Sequence, residues 1–129
     1  MLKLNYVSFV VSDMQKALDF YRLLGLSISP DADTTQDHIE ISVDGLRIAW
    51  ETETLMRQLD RGWAAPMRGG RVSIALEAAS PEEVDEAVKR IKKAGHAVKT
   101  EPFDAFWGQR YATVLDPDGT AVDVFALLE

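Results

Sequence analysis

Apolar residues recur along the chain with two spacings, one of two residues and one close to 3.6. Residues 4–11 alternate on Val7, Phe9 and Val11, which predicts a strand with one face against a core. Ser12 stands three residues before Gln15, the spacing of a capping box. The period then widens: Ala17, Leu18, Tyr21 and Leu24 form the stripe of a helix that Gly25 ends. Leu26-Ser27-Ile28 follows as a short apolar stretch, and the polar run from Pro30 to Asp37 reads as a loop. Ile39, Ile41 and Val43 alternate, Asp44-Gly45 supplies a two-residue hairpin turn, and Leu46 to Glu51 returns. The predicted order is βαβββ.

The second half repeats that order. Val72, Ile74 and Leu76 alternate. Ser80-Pro81-Glu82-Glu83 is a helix start, with a serine cap, proline at the first helical position and an acid three residues after the cap. Val84, Ala87, Val88, Ile91 and Ala94 form the stripe, and Gly95 is the cap. A short strand is predicted near Ala97-Val98 and another over Tyr111 to Leu115. Asp116-Pro117-Asp118-Gly119 has the residues of a type I turn, and Ala121 to Phe125 returns. Val7 matches Val72, Ser12 matches Ser80 and Gly25 matches Gly95, a repeat of pattern more than of identity. Residues 1–129 thus read as one domain of two modules, 1–51 and 70–129, joined by a connector over 52–69. Within the connector Leu55, Met56 and Leu59 suit a short helix, and Trp63 and Met67 lie in a loop.

Composition narrows the chemistry. With no cysteine, disulfides, cysteine zinc sites and thiol nucleophiles are excluded. The histidines are His38 and His96 alone, so any imidazole-based scheme has little to draw on. The 21 acids against 14 bases give a net charge of −7, which repels phosphate polymers and argues against nucleic acid as a partner. No apolar run reaches the length of a membrane span or a leader, so a cytoplasmic protein is expected. There is no nucleophile elbow, phosphate loop or dinucleotide fingerprint. Asp116-Pro117-Asp118-Gly119 is too short of further acids to be a calcium loop.

Several segments together carry a family resemblance: Val7-Ser8-Phe9-Val10-Val11-Ser12-Asp13, Asp19-Phe20-Tyr21 with Leu24-Gly25-Leu26, Trp107-Gly108-Gln109-Arg110-Tyr111, and Asp116-Pro117-Asp118-Gly119 followed by Val122-Asp123-Val124. In this order they resemble the vicinal oxygen chelate superfamily, which includes glyoxalase I, extradiol dioxygenases, fosfomycin-modifying enzymes and bleomycin-binding resistance proteins. The resemblance implies an α+β fold in which two βαβββ modules form a curved eight-stranded cup with helices outside. It also implies, for the enzymes, a divalent metal held in the cup by His and Glu from the first and last strands of each module. By strand parity Tyr6 stands at the first histidine position, Arg71 at the second, and Asp123 at the final glutamate. A phenol, a permanent cation and one carboxylate make a poor ligand set, so no metal and no other cofactor is expected here.

An aromatic cleft is what remains. Tyr6 and Phe125 face the cup by parity, Trp50 ends a strand, Trp63 lies in the connector, and Phe103, Phe106 and Trp107 precede Tyr111. The candidate ligand-binding residues are Tyr6, Trp50, Trp63, Arg71, Phe103, Trp107, Arg110, Tyr111 and Asp123, with Gln109 and Glu51 as further polar groups. Arg71 is expected either to pair with Asp123 in place of a metal or to meet a ligand anion. The metal-free, acidic bleomycin-resistance-like members are the most similar in chemistry. They imply a small-molecule binder, antibiotic resistance by sequestering an aromatic or cationic ligand included, and a homodimer, with no catalytic residue. The alternatives are a lyase, isomerase or oxygenase with a non-standard metal site drawn from His38, Glu40, Glu51 or Asp123, and a metal-free enzyme using Asp123 or Glu51 as base.

Overall fold

The computed structural model describes residues 1–66 and 72–129. The chain divides into two compact units, residues 1–67 and 68–129. In the first, β1 (Tyr6–Val11), α1 (Met14–Leu23), β2 (His38–Val43) and β3 (Leu46–Thr52) are followed by α2 (Glu53–Leu59). In the second, β4 (Ile74–Glu77), α3 (Pro81–Lys93), β5 (Val98–Ala105), β6 (Gln109–Leu115) and β7 (Ala121–Leu127) follow in turn. The first sheet has three strands in the order β1-β3-β2 and the second has four in the order β4-β7-β6-β5. In each, the first strand pairs in parallel with the last, and the last pairs antiparallel with the strand before it. The α+β class and the two-module organisation of secondary structure therefore follow the sequence pattern.

The first unit has three described strands where four were expected. The stretch Leu26-Ser27-Ile28 forms no ladder and is held to helix α1 instead. Arg22 Nη2 donates to Ser29 O at 2.6 Å and Arg22 Nε to Ile28 O at 3.4 Å, while Ile28 N turns back to Leu26 O. The polar run that follows folds onto itself through Asp33, whose Oδ1 accepts from both Thr35 N and Thr35 Oγ1. In the second unit the corresponding strand is eight residues long, and reaches far past Ala97-Val98 with register shifts along the way.

Local signals explain most boundaries. Helix α1 is capped by Asp13, which accepts from Lys16 N at 3.0 Å, one residue later than the expected Ser12 cap. Asp13 sits in extended backbone and brings a charged acceptor to a helix N-terminus, which favours it over the hydroxyl. Ser80 caps α3 as expected, with Pro81 in the first turn. The Asp44-Gly45 turn has φ of 51° and 85°, the left-handed pair that a two-residue hairpin turn needs. Asp116 Oδ1 accepts from Asp118 N at 2.9 Å and Thr120 N at 2.8 Å, closing the turn into β7.

Helices α1 and α3 each pack on one face of their own sheet. In the first unit Trp50, at 0 % exposure, lies among Phe9 and Tyr21 with ring centroids 6.0 and 5.5 Å away. In the second, Val84, Val88 and Ile91 of α3 are buried with Ala112, Val114, Val122 and Val124 of the sheet. The expectation that Trp50 lines a ligand cleft is corrected here: it shares the helix-facing side of β3 with Ile48 and is a core residue. Its indole Nε1 has no hydrogen-bond partner among the described residues, so it contributes by packing alone. Trp50→Ala is expected to cost about 3–5 kcal/mol, and Ser80→Ala about 1 kcal/mol. Urea denaturation followed by circular dichroism checks both.

Candidate functional site

The face of each sheet turned away from its helix carries the chemistry. On the first sheet this face presents Tyr6, Ser8 and Val10 from β1, Arg47, Ala49 and Glu51 from β3, and His38, Glu40 and Ser42 from β2, as the ladders place them. Five of these side chains form a closed ring. Tyr6 Oη donates to Glu51 Oε1 at 3.0 Å. Glu51 Oε2 lies 3.2 Å from His38 Nδ1, and His38 Nε2 lies 2.9 Å from Glu40 Oε1. Arg47 grips Glu40 through Nε at 2.7 Å and Nη2 at 2.8 Å. Its guanidinium then returns over the Tyr6 ring, 4.8 Å from the centroid. In the middle is Ala49, at 0 % exposure, a methyl small enough for the ring to close over it.

The ring sets its own protonation. Arg47 and then His38 hold the Glu40 carboxyl at about 2, well below the usual range. Glu40, with Glu51 behind it, raises the His38 imidazole above its ordinary value. Burial, reinforced by the Glu51 carboxylate, raises the Tyr6 phenol.

The second sheet presents different residues at equivalent ladder positions. Asp123 stands where the first sheet has Ala49, and Phe125 where it has Glu51; Tyr111 and Thr113 stand for His38 and Glu40. Asp123 accepts from Thr113 Oγ1 at 2.7 Å and through its other oxygen from Tyr111 Oη. That bond to Asp123, followed by burial, pushes the Tyr111 phenol up to about 12. Around Tyr111 the rings gather: Phe125 is stacked at 6.4 Å, Trp107 is edge-on at 5.5 Å and Phe103 at 6.5 Å. Phe106 sits edge-on to Trp107 at 5.0 Å. Trp107 Nε1 donates to Gln109 Oε1 at 2.8 Å, which fixes the indole while leaving it 49 % exposed.

Of the candidate residues, Phe103, Trp107, Tyr111 and Asp123 are brought together, with Phe103 in β5. Tyr6 takes its place in the ring of the first unit. Trp63 stands beside Arg57, whose guanidinium is 5.6 Å from its centroid. Arg110 stands apart from the aromatic group. It lies on the helix side of β6, where Asp85 at 3.0 Å and Asp104 at 3.1 Å take up its guanidinium. Arg71, and with it the expected pairing with Asp123, lies outside the described residues. The ring partners His38, Glu40 and Arg47 were absent from the candidate binding set. The signal for them was the Asp44-Gly45 turn, since counting outward from it sets His38 opposite Glu51.

These donors fit a divalent metal poorly. His38 has its two nitrogens directed to different carboxylates, Arg47 brings a cation into the same face, and Asp123 has a hydroxyl on each oxygen. Among the described residues no group of three or more His, Asp or Glu side chains is placed to hold a metal ion. No described helix is long and apolar enough to cross a membrane.

Solved structures share this fold. A glyoxalase/bleomycin resistance protein/dioxygenase from Nocardioides is 25% identical, with a TM-score of 0.74 over 100% of this chain and 85% of that one. A protein of unknown function from Agrobacterium tumefaciens is 28% identical, with a TM-score of 0.72 over 99% and 95%. Hypothetical protein SA1046 from S. aureus is 24% identical, with a TM-score of 0.81 over 98% and 95%, a likeness of fold. No curated protein matches the sequence significantly. The family model described as Glyoxalase/Bleomycin resistance protein/Dioxygenase superfamily matches residues 3–124, nearly the whole chain, and the chain therefore belongs to that superfamily.

Proposed function

We propose that the protein is a metal-free small-molecule binder that holds a flat aromatic, cationic ligand, with antibiotic sequestration as the biological use this suits. The observation that carries the reading is the aromatic shelf of Phe103, Trp107, Tyr111 and Phe125 built around the Asp123 carboxylate. Trp107 is pinned by Gln109 yet half open, so a ring face is available for stacking without a further ordering cost. A planar cation gains twice, from the ring faces and from the carboxylate. The net charge of −7 adds a long-range attraction for cations.

Binding is favoured over turnover by how Asp123 is held. Hydroxyl donors on both oxygens steady the anion, whereas a general base keeps an oxygen directed at the proton it removes. Tyr111, with its phenol pushed up to about 12, stays neutral and keeps donating across the physiological range.

Titration with 9-aminoacridine, a planar aromatic cation, is expected to quench tryptophan fluorescence saturably, without consumption of the probe. Trp107→Ala is expected to weaken binding about tenfold, the equivalent of one stacked cation–π contact. Loss of neither quenching nor affinity in that variant overturns the reading, and formation of a product favours the enzyme alternative. In a separate ultraviolet titration one tyrosine is expected to ionise only near 12, and to move toward its ordinary value of 10 in Asp123→Asn. A Tyr111 that already ionises near 10 in the unaltered protein contradicts the Asp123 bond.

A further inference from the structure

The ring on the first sheet is charge-balanced only in one protonation state. A neutral imidazole has one N–H and one bare lone pair, and a carboxylate offers lone pairs alone. Both His38 nitrogens face carboxylate oxygens, at 2.9 and 3.2 Å, so the geometry is that of an imidazolium. Glu40 and Glu51 are then matched by Arg47 and His38. The groups facing His38 are Glu40 from its own strand, which Arg47 of β3 also holds, and Glu51 from β3, to which Tyr6 of β1 donates.

When His38 gives up its proton the ring carries one net negative charge, and one of its hydrogen bonds is lost. The bond given up is the longer one, Nδ1 to Glu51, because Glu40 is fixed by two bonds from Arg47 and keeps Nε2. Glu51 Oε2 is left facing an imidazole lone pair; the Glu51 side chain is 12 % exposed and that of His38 38 %, so the pair meets solvent from the His38 side. Arg47 cannot move in to replace the lost partner without abandoning Glu40 and the Tyr6 face.

We propose that this ring is a proton-exchange subsite for a cationic group, in which an ammonium or amidinium replaces the His38 proton as the partner of Glu51. The proposal rests on the cationic-ligand reading above but uses different residues. The step balances: the Nδ1 proton of His38 passes to solvent, the incoming cation restores the lost charge, and only that N–H bond is broken. Binding and protonation then compete. The association constant rises by about one log unit per pH unit while His38 is protonated, and levels off once it is neutral. The carboxylates that raise the His38 pKa move this window upward from the ordinary value of 6.5.

Calorimetric titration of the full chain with benzamidine near pH 6, in two buffers of different ionisation enthalpy, measures the exchange. Close to one proton released per benzamidine bound is expected. In parallel, the His38 ring signals move to the neutral pattern in NMR spectra, with His96 as the only other imidazole. In His38→Asn the proton release disappears and the affinity stops depending on pH. Glu51→Gln, which keeps the shape of the ring, is expected to weaken benzamidine about tenfold. Binding without proton release, or an unchanged pH slope in His38→Asn, overturns the subsite. Quenching of Trp107 by benzamidine in those same experiments leaves the aromatic-face reading standing, whereas the absence of both heat and quenching overturns the two together.

Discussion

Each half of this protein rests on the burial of one helix against one side of a short sheet. The helix commits every second strand residue to the core, and by that commitment turns the residues between them outward. Phe9, Trp50 and Tyr21 lock the first sheet under α1, and Val84, Val88 and Ile91 lock the second under α3. The alternation is unforgiving, since a slip of one residue exchanges the two faces entirely. What the outward face carries is then free of the demands of the core.

The two units use that freedom in opposite ways. At the central position of the last strand the first has Ala49 and the second has Asp123, with acids beside the alanine and rings beside the aspartate. The first face is an ionic loop closed over a methyl group. The second is a single anion steadied by hydroxyls and walled by aromatic rings. Two ladders of the same pattern thus carry different chemistry on one side, while the other side of each is packed under its helix.

Much of the fold was legible in the sequence because its signals are local. Ser80-Pro81, the Asp44-Gly45 turn and the Asp116 turn each act within a few residues, and the structure places them as read, whereas the alternation expected from Val72 begins only at Ile74, with Val72 exposed outside β4. What was hidden depended on longer reach. Where a fourth strand was expected in the first unit, Arg22 of the helix reaches the carbonyls of Ile28 and Ser29, a contact that no periodicity shows. Trp50 was misread because the end of a strand gives its parity least support, and the ion pairing of Arg110 was not visible because Asp85 comes from another element. The aromatic group around Tyr111 was legible from composition and clustering. The ring of His38, Glu40, Arg47 and Glu51 required counting a register across the hairpin, a step open to anyone with the turn in hand.

The absent fourth strand has a dynamic consequence. In its sheet β2 has a single hydrogen-bonded neighbour, β3, and its outer backbone groups are paired with no strand among the described residues. Edge strands open at lower free energy than central ones. His38 and Glu40 lie on β2, and Tyr6 lies on β1, the other edge, so three of the five members of the ring ride on strands with one neighbour each. Opening of either edge parts the ring, and the closed ring in turn ties both edges to the central strand.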